Sequence, residues 1–130
     1  MKKAVVALLL VALLLTFAGC GGGGLTNYYG LSKGAITNIS YTYKTGNSPK
    51  NLDQSKYDLF MDTFDVEYTY HDGTGLTRGG EQFRVSYGTQ YDLFLLVQAD
   101  GRVVAQQYDG VVTIYYISVE PIEIPFSLCS

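Results

Sequence analysis

The stretch YDLFLLVQADGRVVAQQY, residues 91–108, decides the fold of this chain. Asp100-Gly101 stands between two apolar runs, which predicts a tight β-hairpin with both turn residues at positive φ. Alternate residues of the first run would share one face of a strand, and all of them are apolar or aromatic: Tyr91, Leu93, Leu95 and Val97. The hairpin therefore predicts a domain built on antiparallel strands.

Earlier segments show the same period of two. In AITNISYTYKT (35–45), FDVEYTYH (64–71) and EQFRVSY (81–87), apolar or aromatic residues alternate with polar ones. Such alternation is typical of strands with one buried and one exposed face. Turn dipeptides such as Asp72-Gly73 and Asp109-Gly110 separate the segments. The sequence thus predicts an all-β fold of six to eight antiparallel strands.

The segment 48–62 is compatible with more than one structure. Ser48 as an N-cap and Pro49 at the first helical position favour a helix. The run YDLFMD (57–62) is equally compatible with a strand after a loop. We favour a loop with a short helical turn that leads into a strand near Thr63.

The stretch 87–105 resembles the penultimate strand and following turn of bacterial immunoglobulin-like and fibronectin-like sandwich domains. The shared features are Gly88, then Tyr91 opening an alternating strand, then the Asp-Gly turn. The resemblance implies an immunoglobulin-like antiparallel β-sandwich, with Tyr91 as the candidate for a tyrosine corner. A small barrel and a transthyretin-like sandwich are alternatives.

The N-terminus has the pattern of a secretory signal peptide. Lys2 and Lys3 precede an apolar run of 14 residues, 4–17, which is shorter than the roughly 20 residues of a transmembrane helix. The closing residues Phe17-Ala18-Gly19-Cys20 resemble the lipobox of bacterial lipoproteins, with Phe17 where the family usually has Leu. The resemblance implies cleavage before Cys20, a diacylglyceryl group on its thiol, and a further acyl chain such as palmitate. An ordinary cleaved signal peptide and an uncleaved anchor are the alternatives.

These features divide the chain into three parts. Residues 1–19 would be the lipoprotein signal peptide, 20–34 the lipidated cysteine with a flexible glycine-rich tether, and 35–130 the β-sandwich domain. The resemblance implies lipid anchoring at the bacterial cell envelope. In a Gram-negative organism it implies the outer membrane, because Gly21 rather than Asp follows the cysteine.

The charge balance narrows the choice of partners. Loss of residues 1–19 removes Lys2 and Lys3 and leaves 7 basic against 12 acidic residues, a net charge of −5. An acidic chain without a basic patch is a poor match for nucleic acid. The same balance disfavours electrostatic adhesion to anionic lipid, so the link to the membrane would be the lipid on Cys20.

Residues suited to catalysis or metal binding are sparse and scattered. His71 is the only histidine, the serines have no Gly-x-Ser-x-Gly context, and Cys129 has no neighbouring histidine. The acidic residues between Asp53 and Asp65 lack the spacing of a calcium loop and are interpreted as solvated. We therefore expect a protein that is not an enzyme and uses no metal or cofactor.

Two predicted strands, in 91–97 and 110–119, are apolar on both faces. A sandwich buries only one face of each sheet, so a second apolar surface is expected. We assign it five residues: Phe94, Leu96, Val112, Ile114 and Tyr116. Either the chain covers this surface itself, with residues 52–61 or 122–128, or it binds a protein partner or a second copy.

Taken together, these patterns predict a lipid-anchored β-sandwich that acts as an interaction or accessory module. The alternative is a lipoprotein that binds sugar or peptide through tyrosine-lined loops, because the chain has 12 tyrosines and no tryptophan. The tyrosines considered for such loops are Tyr28, Tyr29, Tyr57 and Tyr108.

Overall fold

A computed structural model describes residues 23–44 and 46–129. The signal peptide and Cys20 lie outside these residues. The elements in chain order are α1 (Gly24–Tyr29), a 3₁₀ turn (Lys33–Ala35), β1 (Asn38–Thr42), β2 (Lys50–Asn51), a 3₁₀ turn (Gln54–Lys56), α2 (Tyr57–Phe64), β3 (Tyr68–His71), β4 (Gln82–Ser86), β5 (Leu93–Val97), β6 (Val103–Tyr108), β7 (Thr113–Ser118) and α3 (Phe126–Cys129). None of the helices among the described residues has the length and apolar character needed to cross a bilayer.

The seven strands form one open sheet in the order β2-β1-β4-β5-β6-β7-β3, and every neighbouring pair is antiparallel. The prediction of an all-β fold with six to eight strands is confirmed. Strands β4 to β7 form a meander, β1 joins it beside β4, and β3 joins it beside β7. Because the strands make a single sheet, helices and the C-terminal segment occupy the place that an immunoglobulin-like arrangement gives to a second sheet.

The hairpin between β5 and β6 forms as predicted, but its turn differs in one respect. Gly101 has φ of 87°, whereas no described residue other than glycine has positive φ, so Asp100 does not. The Gly101 N–H donates to the Gln98 carbonyl at 3.0 Å, and Asp100 Oδ1 accepts from the Arg102 N–H at 3.0 Å. One glycine at positive φ is therefore enough to reverse the chain.

The main core lies between the inner face of the sheet and the helices. Alternate strand residues supply the sheet side and are fully buried: Ile39, Phe83, Val85, Leu93, Leu95 and Val103. From the other side, α2 contributes Phe60 and Phe64, and the C-terminal α3 contributes Leu128. The alternation seen in the sequence thus corresponds to one face turned toward these segments.

The segment 48–62 contains β2, a 3₁₀ turn and most of α2. The Asp53 side chain accepts a hydrogen bond from the Ser55 N–H at 2.9 Å and so caps the 3₁₀ turn. The expected helical turn is present, but helix continues to Phe64, where a strand was predicted. Tyr57, Phe60 and Phe64 lie at helical spacing and are buried against the sheet, which favours helix over strand here.

Residues 24–34 belong to the fold rather than to a flexible tether, which corrects the predicted boundary. Leu25 in α1 and Leu31 after it are fully buried. Thr26 donates two hydrogen bonds to the Asp65 carboxylate, from its N–H at 2.9 Å and its hydroxyl at 2.6 Å. A Cβ on Gly23 would lie 1.9 Å from the Asp65 carbonyl oxygen, so glycine is needed there for close backbone approach.

Candidate functional site

The register of β7 separates the five residues predicted to form one apolar surface. Pairing of Leu96 with Val104 and of Val104 with Ile117 places these three residues on the outer face of the sheet. Tyr116 lies opposite Ala105 and therefore on the inner face, as does Ile114 two residues before it. Phe94 shares the outer face with Leu96, whereas Val112 precedes β7 and is 55% exposed. The predicted surface is wrong as a single site, because its members lie on both faces.

The outer face carries a small apolar cluster of its own. Leu96, Val104 and Ile117 are buried, and Leu76, Phe94 and Tyr115 pack against them in partly exposed positions. We call these six residues the outer cluster. Its cover comes from the loop 72–80, which contributes Leu76.

Several polar contacts hold this loop against the sheet. Arg78 lies 5.7 Å from the centre of the Tyr115 ring and donates to Gln106 Oε1 at 3.0 Å. The Thr77 N–H donates to Gln98 Oε1 at 2.8 Å, and Gln98 Nε2 donates back to the Thr77 carbonyl at 3.2 Å. The chain thus covers part of this face itself. The two segments expected to do so, 52–61 and 122–128, supply core residues to the inner face instead.

Changing Leu96 to alanine is expected to lower the free energy of unfolding by about 2 to 5 kcal/mol, because truncation of this buried side chain would leave a cavity in the outer cluster. Val112→Ala provides the control and should change stability by less than about 0.5 kcal/mol, since Val112 is largely exposed. Urea unfolding followed by circular dichroism measures both. A stable Leu96→Ala variant would show that the outer cluster adds little to the fold.

Three tyrosines, two of them exposed and one half-buried, meet at the β3 rim of the sheet. The rings of Tyr28 and Tyr116 are parallel within 8°, with centroids 4.0 Å apart, and Tyr70 meets Tyr116 edge-on at 6.2 Å. Tyr28 in α1 is 49% exposed and Tyr70 in the edge strand β3 is 68% exposed. We call Tyr28, Tyr70 and Tyr116 the tyrosine platform. It is a preformed, largely exposed aromatic surface.

Of the other tyrosines considered for ligand-binding loops, Tyr29 contacts Tyr116 edge-on, with 5.8 Å between the ring centroids, but it is buried beside the platform. Tyr29 and Tyr57 are buried, and the Tyr29 hydroxyl donates to the Ala105 carbonyl at 2.8 Å. Tyr91, the candidate for a tyrosine corner, packs edge-on against Tyr108. The nearby Tyr87, rather than Tyr91, has a buried hydroxyl that bonds to the backbone. It donates to the Tyr29 carbonyl at 2.7 Å.

Tyr91 and Tyr108 line a polar cleft of about 320 Å³ on the outer face. The remaining lining residues are Arg84, Gln90, Asp92, Phe94, Gln106, Gln107 and Thr113. Arg84 is fixed over the Phe94 ring by an ion pair to Asp92, with 2.6 Å between Nε and Oδ2. Gln107 Nε2 donates to the Tyr87 hydroxyl and to the Tyr91 carbonyl, both at 2.9 Å. Internal bonds therefore occupy much of the polar lining.

A second groove, of about 590 Å³, lies between β1 and the C-terminal tail. Its lining includes Tyr43, which is 60% exposed, and Phe126, which is 86% exposed. Inside it, the Tyr41 hydroxyl bonds to the Glu81 carboxylate, and burial raises the pKa of the Cys129 thiol. We call this surface the tail groove. It is mainly apolar, with the Tyr41–Glu81 pair and the Cys129 thiol as polar groups.

The residues considered for catalysis or metal binding have local structural contacts. His71 lies at the end of β3, and its Nδ1 accepts from the Gly73 N–H at 2.8 Å. Within residues 23–44 and 46–129, no three histidine, cysteine, aspartate or glutamate side chains are placed to hold a metal ion together. The distinguishing features of the described surface are therefore groups of exposed aromatic side chains, and these groups could not be recognised from the sequence.

Comparison with models of protein families, with curated proteins and with solved structures finds no match to this chain.

Proposed function

We propose that this protein is a lipid-anchored component of the bacterial cell envelope that acts as a non-enzymatic interaction or accessory module. The segment from Lys2 to Cys20 supports the anchor through its short apolar run and lipobox-like end. The observation that carries the proposal is the direct connection of this segment to the fold. The Gly24 N–H donates to the Val66 carbonyl, only four residues after Cys20.

A connection this short keeps the domain at the membrane surface. Four residues span at most about 14 Å when fully extended. A tether of 14 residues after Cys20, as the glycine-rich sequence predicts, would have allowed a much larger separation. The shorter link suits a module that works beside the bilayer.

The exposed aromatic side chains support a role in contacts. Tyr28 and Tyr70 stand on the tyrosine platform, and Tyr43 and Phe126 border the tail groove. Grouped exposed apolar side chains usually mark an interaction surface. We infer that the function of the domain is to bind through these surfaces rather than to catalyse a reaction.

Lipidation is tested by changing Cys20 to serine. The wild-type protein should partition into the detergent phase, and Cys20→Ser should appear in the aqueous phase or accumulate unprocessed, because serine offers no thiol for acylation. Cys129→Ser is the matched control and should partition like the wild type. Mass spectrometry that finds an unmodified Cys20 at the mature N-terminus would refute the proposal.

The polar cleft favours a second candidate function, binding of a sugar or peptide. Its paired tyrosines offer stacking to such a ligand, and the Gln90 amide offers hydrogen bonds. Titration with short oligosaccharides, compared between the wild type and Tyr108→Ala, separates this candidate from the first.

A further inference from the structure

We propose that the tyrosine platform lies on the lipid–water interface of the membrane that holds the anchor. The domain would then be docked with its β3 rim toward the bilayer, rather than free to turn about its link. This inference rests on the proposed lipid anchor and adds to it an orientation and a lipid-contacting surface.

The connection between Cys20 and the platform limits their separation. Four residues from Cys20 to Gly24 span at most about 14 Å. Tyr28 follows four residues further along α1, which adds an axial rise of about 6 Å. The backbone of Tyr28 therefore lies within about 20 Å of the acylated residue. The interface is in reach without any change in the fold.

The position of the platform lets a flat surface reach it. β3 is the outermost strand at this end of the sheet, and its ladder among the described residues is with β7 alone. Tyr70 projects from this rim strand, and Tyr28 stands on α1 beside it. The two most exposed rings of the platform are thus at an edge of the domain.

The chemistry of the platform matches the interfacial region. A tyrosine ring placed at the headgroup level has its apolar body toward the acyl chains and its hydroxyl in water. Buried tyrosines of this chain bond their hydroxyls to backbone, as Tyr29 and Tyr68 do. Among the described residues, neither the Tyr28 nor the Tyr70 hydroxyl has such a bond, so both remain available to water and headgroups.

The platform is also preorganised, and its surroundings disfavour a charge-driven contact. Stacking on Tyr116 at 4.0 Å already restrains the Tyr28 ring, so docking would cost little side-chain entropy. Two acidic residues lie close to the platform: Asp65 accepts a hydrogen bond from Thr26 of α1, and Glu67 directly precedes β3. The mature chain as a whole carries a net charge of −5. We therefore expect contact with zwitterionic lipid rather than attraction to anionic lipid.

The absence of tryptophan from the sequence provides the test. Tyr28→Trp and Tyr70→Trp each introduce a single fluorescent probe into the full chain. The purified acylated proteins are placed in phosphatidylcholine vesicles, with brominated acyl chains as a depth-dependent quencher. We expect the emission of both variants to shift to the blue, and brominated lipid to quench it, when the protein is bound to vesicles.

Tyr43→Trp is the matched control. Tyr43 is similarly exposed, but it follows β1, which lies five inter-strand steps from β3, about 24 Å along the sheet. Its emission should not change on binding, and aqueous acrylamide should quench it equally in the presence and absence of vesicles.

The outcomes separate this inference from the anchor on which it rests. A protein that carries acyl chains by intact mass and floats with vesicles, but shows no lipid quenching at position 28 or 70, overturns the platform contact and leaves the anchor in place. Protection from acrylamide without lipid quenching would assign the platform to a protein contact, such as a second copy, and also overturns the inference. A protein without acyl chains that does not float overturns the proposed function and this inference together.

Discussion

Replacement of Phe83 by alanine is expected to lower the free energy of unfolding by about 3 to 5 kcal/mol, the range for loss of a fully buried aromatic ring. Phe83 lies in β4 with no exposed surface. Its ring centroid is 4.9 Å from those of Tyr41 and Phe64 and 5.7 Å from that of Phe60. The alanine variant would leave a cavity where the sheet meets α2, and the rigid strands around it limit collapse.

The measurement is urea unfolding followed by far-ultraviolet circular dichroism. Phe126→Ala is a matched control, because Phe126 is 86% exposed and the change in stability should stay within about 0.5 kcal/mol. A loss below about 1 kcal/mol for Phe83→Ala would contradict a core centred on this ring. Equal losses in the two variants would do the same.

The strands that the sequence predicted well are those with clear alternation of polarity. In β1 and β4, apolar residues such as Ile39 and Val85 alternate with polar ones such as Ser40 and Arg84, and the structure pairs the apolar ones with each other. A shift of one residue would bury Arg84 and expose Val85, which makes the register unambiguous. Composition along the strand is then enough to predict both the strand and its buried face.

In β7, alternation does not identify the buried face, because residues Thr113–Ser118 include apolar or aromatic side chains on both faces of the strand. Nothing in that pattern distinguishes the face of Ile114 and Tyr116 from that of Tyr115 and Ile117. The choice is made by pairing with β6, where Val104 lies opposite Ile117. That long-range contact has no signature in the local sequence, so the candidate surface was assembled from two faces.

The N-terminal helix α1 was not predicted, because here too the local sequence does not reveal the long-range packing. The six residues of α1 are too few to show helical periodicity, and the preceding glycines are typical of a flexible segment. Gly23 is instead required by its contact with Asp65, and Leu25 is buried by contact with the rest of the core. Glycine is favoured both where two backbone segments approach closely and where a segment is flexible. Only the packing in the folded structure distinguishes these two cases.

The tyrosine platform could not be read from the sequence because its members are far apart along the chain. Tyr28 belongs to α1, Tyr70 to β3 and Tyr116 to β7. The pairing of Tyr70 with Tyr116 across neighbouring strands brings two of them together, and the placement of α1 adds the third. The tyrosine count of the sequence indicated aromatic surfaces, but the grouping of the rings is a property of the topology.

Alkaline solution is expected to unfold this domain, because several of its tyrosines are buried in their protonated form. Burial raises the pKa of the Tyr29 hydroxyl well above its usual range, and burial does the same for Tyr68. The pKa of Tyr87 is raised for the same reason. In the unfolded chain these groups would ionise near pH 10. The folded state therefore keeps protons that the unfolded state releases.

The direction of the pH effect follows from this difference. Stabilisation by the protonated tyrosines is complete below about pH 10 and is lost as the pH rises, since the unfolded state then binds fewer protons than the folded one. Urea unfolding at a series of pH values should give a free energy of unfolding that is nearly constant up to about pH 9 and falls steeply above pH 10. Phenolate absorbance of the buried tyrosines should appear together with loss of the dichroism signal.

Tyr29→Phe separates this effect from general instability at high pH. The variant loses the hydrogen bond to the Ala105 carbonyl and should be less stable at neutral pH. Above pH 10, however, its stability should fall less steeply than that of the wild type, because one fewer proton distinguishes the folded from the unfolded state. Parallel slopes for the two proteins would show that Tyr29 does not retain its proton on account of the fold. A wild-type stability that stays level to about pH 11 would contradict the effect of burial on all three hydroxyls.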